Sequence, residues 1–187
     1  MLPTLALLFE HVISSQLYNC ITPFVPRSQY GFLKGCGTQD CGTAIALFAT
    51  QALESRQECR VVSLDIKGAF DRIWWNGLLQ HLSCIGIRSK TFALFQSYLS
   101  NRYLYVVANA KESSQYLIQA GVPQGAVWSS MLLNLYVRPL PLQVHHCLLV
   151  SYADDSTLLK VVPSREARKL AAEEIVSDLN AIVCCWG

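Results

Sequence analysis

The sequence predicts an α+β fold, helices packed on an antiparallel sheet. Three observations carry that prediction. Apolar residues recur at helical spacing in several segments, and the period drops to two at residues 60–67. The later strand-like segments come as close pairs around short polar turns, too near one another for the crossover helices that a parallel sheet needs.

The elements follow in order. A first helix is expected over residues 4–20. Pro23 and Pro26 break the chain, and the glycines of GFLKGCG (31–37) keep it in a loop. Thr38 is the expected N-cap of a second helix reaching about residue 58, with Asp40 in its first turn, where the helix dipole favours an anion. Cys41, Ile45, Phe48 and Ala52 form its apolar face. Residues 60–67 then read as a core strand: Val62, Leu64 and Ile66 share one face, and Ser63 and Asp65 project from the other. Gly68 ends it. A helical stretch follows to Gly86, and Ser89 is the expected cap of another helix to about residue 100. Segments 103–107 and 115–119 flank a polar turn and read as a hairpin. After the loop GVPQG (121–125) comes a helix over about 127–138, stopped by Pro139. Strands at 147–152 and 157–162 flank Ala153-Asp154-Asp155-Ser156. A last helix from a Ser164 cap carries an apolar row at Ala167, Ala171, Ile175, Leu179 and Val183. The residue 60–67 strand is expected to lie antiparallel to the 147–162 hairpin, with helices on one face of the sheet.

Composition narrows the classes. With 187 residues the chain suits one domain, and at that size a core needs no metal or disulfide. Hydrophobic residues are 52% and charged residues 15%, below the usual charged fraction of about 25%, which excludes a disordered tail. A net charge of +2 announces no nucleic-acid partner by bulk electrostatics. No run approaches the ~20 apolar residues of a spanning helix. The opening MLPTLALLFEHV lacks a basic region and a small-residue cleavage site, so neither membrane nor secretion is expected. The eight cysteines include no C-x-x-C pair. His145-His146-Cys147 is their only local cluster with histidine, and the expectation is free thiols in a reducing, intracellular setting, buried as small hydrophobes. Nucleus and cytoplasm are not distinguished.

The chemistry-bearing residues lie in the strands and turns. Tyr152-Ala153-Asp154-Asp155 sets two acids side by side at a hairpin tip, directly after an apolar strand. A single turn Asp commonly bonds its own backbone, but two adjacent carboxylates repel and an ion relieves the repulsion. Asp65, on the polar face of its strand, is either a cap, half of a salt bridge, or a third ligand. Two strands bearing acids at adjacent ends point to a carboxylate cage for a hard cation such as Mg²⁺, which takes oxygen ligands and substrate phosphates. Two such ions serve phosphoryl transfer. The glycine-bracketed loop at 121–125 says little by itself.

Together these segments resemble a family. LDIKGAFD (64–71), GVPQGAVWSSMLLNLY (121–136) and YADD (152–155) are similar to motifs A, B and C of reverse transcriptases, in the variants of non-LTR retrotransposons of the LINE or jockey-like type. QYGFLKGCGTQDC (29–41) is similar to the family's upstream fingers motif. The resemblance implies the fingers–palm of a right-hand polymerase: a fingers-like segment over residues 1–58 with a hairpin at about 101–122, a palm-like catalytic segment over residues 59–187, and no thumb. It implies RNA-directed DNA synthesis, in which a DNA primer 3′-hydroxyl attacks the α-phosphate of a dNTP opposite an RNA template. It further implies that Asp65, Asp154 and Asp155 hold two Mg²⁺ (or Mn²⁺) ions, with the Ile66 carbonyl as an extra ligand. Phe70, five positions after Asp65, matches the bulky residue that clashes with a ribose 2′-hydroxyl. Gln124, Gly125, Tyr152 and Ala153 match nucleotide-contacting positions.

There are departures. The family's GFR reads GFL here, with Leu33 in place of arginine, and Gly37-Thr38 stands for serine-threonine. The Arg-Pro-Ile segment expected before the first helix is not in the sequence, and no thumb, endonuclease, RNase H or zinc-knuckle pattern occurs before Gly187. The remaining thumb and C-terminal segments of a full-length protein are therefore expected partners. The low charge and Leu33 favour an alternative reading, a non-catalytic remnant with nucleic-acid or protein contacts at most. A P-loop NTPase fails, because GCGTQDCG carries no lysine.

Overall fold

A computed structural model describes residues 4–186. Residues 1–3 and Gly187, the outermost positions of the two expected segments, lie outside the described residues. Along the chain run α1 (Thr4–Ile21), α2 (Thr38–Glu54), β1 (Glu58–Asp65), α3 (Trp75–Cys84) and α4 (Ser89–Leu99). Four two-residue strands follow: β2 (Tyr103–Leu104), β3 (Val107–Ala108), β4 (Lys111–Glu112) and β5 (Tyr116–Leu117). Then come α5 (Val127–Tyr136), β6 (Leu148–Tyr152), β7 (Asp155–Val162) and α6 (Arg168–Trp186). No helix among the described residues is long and apolar enough to cross a membrane.

The chain forms two compact units that interleave in sequence. One combines residues 4–21 with residues 68–136, and the other combines residues 22–67 with residues 137–186. This division is one of packing. The division expected at residue 58 is one of polymerase role, a different criterion.

The second unit holds a three-stranded antiparallel sheet in the order β1-β7-β6. Its register pairs Leu64 with Ser156 and Asp65 with Asp155, while Tyr152 faces Asp155 across the hairpin. Successive residues of the two hairpin strands are buried, Leu149 with Val150 and Leu158 with Leu159. A strand apolar on both sides needs cover on both. On one face Val150 and Leu159 pack with Cys41, Ile45 and Phe48 of α2. On the other Val62, Leu64, Leu149 and Leu158 pack with Leu179 and Ile182 of α6 and with Leu140 of a short 3-10 turn. The expectation of helices on one sheet face is therefore corrected to helices on both.

An anion fixes α6 to the start of β6. Asp178, 1% exposed, accepts the backbone N–H groups of His145, His146 and Cys147 at 3.1, 3.0 and 2.9 Å, and pairs with His146 Nδ1 at 2.9 Å. Burial alone raises a carboxyl pKa. Here the His145 amide, then the other donors, outweigh it and bring Asp178 down to about 2.

The first unit is built around α5. Seven of its ten residues are buried, and Trp128 sits with its ring centroid 6.0 Å from Phe9, 5.6 Å from Phe95 and 5.1 Å from Tyr98. Leu78 and Leu82 of α3 and Phe95 and Leu99 of α4 are fully buried here. The hairpin after α4 has only two short rungs, β2 with β5 and β3 with β4, because both strand pairs are exposed and no packed face enforces pairing.

Several element ends differ from expectation. Gly37, not Thr38, is the N-cap of α2, and Asp40 reaches back to accept its N–H at 2.7 Å. The helix stops at Glu54 because β1 has begun by Glu58. Ser89 opens α4 with a φ of 53° and provides no side-chain cap. Helix α3 begins only at Trp75, since residues 70–73 are engaged by the 121–122 loop, as described below. Ser164 Oγ accepts the Ala167 N–H at 3.4 Å, but α6 starts at Arg168. Its apolar row holds at Ala171 and Ile175 and fails at Val183, which is 66% exposed. All eight cysteines are free, and five of them are exposed, so only Cys41 fits the expectation of a buried small hydrophobe.

Candidate active site

The three acids gather at one end of the second unit's sheet. Asp65 is the last residue of β1 and Asp155 the first of β7, directly opposed in register. Directly opposed side chains of an antiparallel pair leave the same face, with Cβ atoms about 4.5–5.5 Å apart. Both carboxylates are exposed. The same face carries α2, and the Asp155 charge is near enough to act on Cys41 in that helix's first turn. Burial raises the Cys41 thiol pKa, and Asp155 raises it further. Asp154 is half-buried in the two-residue loop between β6 and β7. Among the described residues no three acids, histidines or cysteines form a metal-holding group. The convergence expected of Asp65, Asp154 and Asp155 is thus partial: two on one rung, the third on the adjoining turn.

That turn is backbone-strained. Ala153 has a φ of 57°, the left-handed region where the first position of a tight hairpin usually carries glycine and where an L side chain costs about 1–2 kcal/mol. The start of the QYGFLKGCGTQDC segment holds it. Residues 28–30 run beside β6, with Tyr30 N–H donating to Ser151 O at 2.8 Å and Ser151 N–H to Ser28 O at 2.7 Å. Between them Gln29, 3% exposed, turns its amide onto Ala153. Its Oε1 accepts the Ala153 N–H at 2.8 Å and the Gly31 N–H at 2.8 Å, and its Nε2 donates to Ala153 O at 3.0 Å. A Cβ at Gly31 would stand 2.2 Å from Ala153 N, so only glycine permits this approach.

The first unit holds Phe70, Gln124 and Gly125. Val122 N–H donates to Phe70 O and Gly121 N–H to Ile73 O, both at 2.8 Å. Gly121, with a φ of 83°, lies so close that a Cβ would stand 2.6 Å from Asp71 O. Gln124 Nε2 meets both carboxylate oxygens of Asp71 at 3.3 Å. The GVPQG loop and the segment carrying Phe70 are therefore one interlocked piece. Trp75 Nε1 donates to Gly121 O at 2.7 Å from the other side. Glu10, buried within α1, caps the helix that the loop opens: its Oε2 accepts Val127 N–H at 2.7 Å and Trp128 N–H at 3.2 Å, and its own carbonyl accepts Trp128 Nε1 at 3.0 Å. Gln29, Gly31, Glu10 and Asp71 were not singled out from the sequence as site residues. The signals in the sequence were a lone acid inside an apolar helix and the membership of Gln29, Gly31 and Asp71 in the segments 29–41 and 64–71.

By donor type alone, the three acids would suit a hard divalent cation. Asp65, Asp154, Asp155 and the Ile66 carbonyl offer oxygen only, from neighbouring strand ends, two of them on one rung, and that donor type suits Mg²⁺ or Mn²⁺ rather than zinc.

Comparison with known proteins agrees with this architecture. Residues 2–183 match the family model described as reverse transcriptase (RNA-dependent DNA polymerase). The chain is 32% identical over 168 residues to the RNA-directed DNA polymerase from mobile element jockey of Drosophila funebris, covering 85% of this chain and 18% of that protein. It is 30% identical over 168 residues to the probable RNA-directed DNA polymerase from transposon BS of Drosophila melanogaster, with the same coverage of 85% and 18%. The chain thus spans about a fifth of the length of these curated relatives. Among solved structures, apo telomerase from Candida tropicalis truncated from its C-terminal domain superposes with a TM-score of 0.63 at 15% identity, over 89% of this chain and 36% of that one. A second structure, of apo telomerase from the same organism, gives 0.64 at 13% identity, over 91% and 34%. These likenesses show a shared fold, the mixed helix and antiparallel sheet of a polymerase fingers–palm. With a family model matched along nearly its whole length, the chain belongs to the reverse transcriptase family.

Proposed function

We propose that this chain is the fingers–palm core of a retrotransposon RNA-directed DNA polymerase, joining a dNTP to a DNA primer 3′-hydroxyl on an RNA template. The observation that carries the reading is the Asp65–Asp155 rung with Asp154 on the adjoining turn. Residues 1–58 with the hairpin near 101–122 act as fingers-like segment, and residues 59–187 as palm-like segment. Two Mg²⁺ or Mn²⁺ ions, when bound, supply charge neutralisation for the phosphoryl group and lower the cost of the developing alkoxide. Asp65, Asp154, Asp155 and the Ile66 carbonyl hold them. Tyr152 and Ala153 shape the floor beside the acids. Phe70 excludes a ribose 2′-hydroxyl by its bulk, and Gln124 and Gly125 line the base and sugar. Positioning of this kind supplies most of phosphoryl-transfer catalysis. Thumb and C-terminal segments of the longer protein complete the grip on the duplex.

The remnant reading is favoured by one set of facts, Leu33 at the fingers arginine position and a net charge of +2, since duplex affinity grows with each phosphate neutralised. Two measurements decide. Calorimetry should show weak Mn²⁺ binding, absent in Asp65→Asn and Asp154→Asn; equal binding by all three proteins would refute the ion site. On poly(rA)/oligo(dT) with Mn²⁺, the 187-residue chain should extend the primer poorly, and extension should rise when the remaining segments are restored. No extension even then would leave the remnant reading standing.

A further inference from the structure

We propose that Gln29 and Gly31 are positioning residues for the polymerase acids: they clamp the Ala153 turn and so set where Asp154 and Asp155 stand relative to Asp65. The inference rests on the ion-holding role given to these acids above.

The clamp acts on both polar atoms of one residue. Ala153 N–H and C=O are each bonded to the same side-chain amide, at 2.8 and 3.0 Å. The orientation of that amide is fixed by its partners, because two N–H groups, of Ala153 and Gly31, need an acceptor and one carbonyl needs a donor. Glutamine is the only side chain of this length that offers both. Glutamate would oppose one oxygen to the Ala153 carbonyl and add a negative charge beside Asp154 and Asp155. Lysine or arginine would leave two buried N–H groups unpaired. Asparagine is one methylene too short to reach.

The anchor is as firm as the grip. Gln29 lies between two backbone hydrogen bonds to Ser151, and it forms a parallel bridge with that residue. Gly31 brings its own backbone against Ala153 at a separation that no Cβ tolerates. Ala153 is left-handed, and such a conformation in a non-glycine residue persists only where its surroundings over-determine it. Released, the turn would relax toward an ordinary φ, and the adjoining Asp154 and Asp155 would move with it. Asp65, carried by β1, would stay where it is.

The test uses the 187-residue chain with Gln29→Ala and the near-isosteric, uncharged Gln29→Met. Amide exchange at Ala153 is followed by NMR without metal, and Mn²⁺ affinity is followed by paramagnetic broadening. Both variants should keep a cooperative melt. Ala153 exchange should quicken, and Mn²⁺ affinity should fall, each by about tenfold, equivalent to about 1.4 kcal/mol. A merely structural glutamine would not move Mn²⁺ affinity in a folded variant, so unchanged affinity beside intact wild-type binding overturns the proposal. Unchanged Ala153 exchange overturns it as well. Should Gln29→Ala not fold, Gln29→Met carries both measurements. If the wild type binds no Mn²⁺ while Ala153 exchange still depends on Gln29, the clamp stands and the ion-holding reading falls.

Discussion

Replacing Asp178 with asparagine should cost the protein about 2–4 kcal/mol at pH 7. The carboxylate accepts three backbone amides and an imidazole nitrogen while almost wholly buried. An asparagine keeps one accepting oxygen and turns an NH₂ group toward amide donors, which leaves at least one buried N–H unpaired at about 1–3 kcal/mol and removes charge-assisted bonds of about 1.5–3 kcal/mol. Titration provides a second route to the magnitude. The shift from 3.8 to about 2, at about 1.36 kcal/mol per unit, corresponds to roughly 2.4 kcal/mol. The folded pKa is depressed, so this stability is fully present above about pH 4 and is lost as pH falls toward 2. Urea denaturation followed by far-UV circular dichroism, from pH 7 down to pH 2, checks both statements. The wild type should lose stability more steeply than Asp178→Asn below pH 4, and the two curves should converge. A variant with an unchanged midpoint at pH 7, or two parallel pH profiles, would refute the reasoning.

Other expectations are simpler. Glu10→Gln keeps the shape but removes the anion capping α5, so stability should fall by about 1–2 kcal/mol; Trp128 fluorescence during denaturation reports it, and an unmoved midpoint would count against the cap. Phe70→Val, in an active polymerase carrying this sequence, should raise ribonucleotide incorporation with little change in deoxynucleotide use; unchanged discrimination would assign the gate to another residue. Burial and then Asp178 push the Cys147 thiol up to about 11, so at pH 8 only about a thousandth of it is thiolate. Iodoacetamide should therefore label exposed Cys36 and Cys184 well before Cys147, as mass spectrometry would show, and equal rates would contradict the shift.

The strands and the acids were legible in the sequence because period-two alternation marks β1 and because motifs A, B and C each occupy a few consecutive residues. The antiparallel pairing of β1 with the hairpin followed from a hairpin next to a strand with acids at matching ends, whereas its adjacency to β7 rather than β6 did not. What stayed hidden lies in contacts between distant residues. Gln29 is 124 positions from Ala153, and nothing local in QYGF tells that its amide faces a turn. The two-sided cover was missed for a related reason. Residues 147–152 were read as one apolar run, and a run does not say whether one or two layers bury it. Helix ends at Gly37, Arg88 and Arg168 escaped because Ser and Thr favour the cap position without being required there. Backbone geometry decided each case.

The Asp65–Asp155 rung sets two like charges face to face at the end of the sheet. Such a pair opposes folding by about 0.2–1 kcal/mol, and the left-handed Ala153 beside it adds strain of its own. The end of the sheet proposed to work thus carries two local costs. Asparagine at either position should make the fold firmer while emptying it of chemistry. For a lineage no longer using this site, the easiest path to a sturdier protein would run through loss of these very acids.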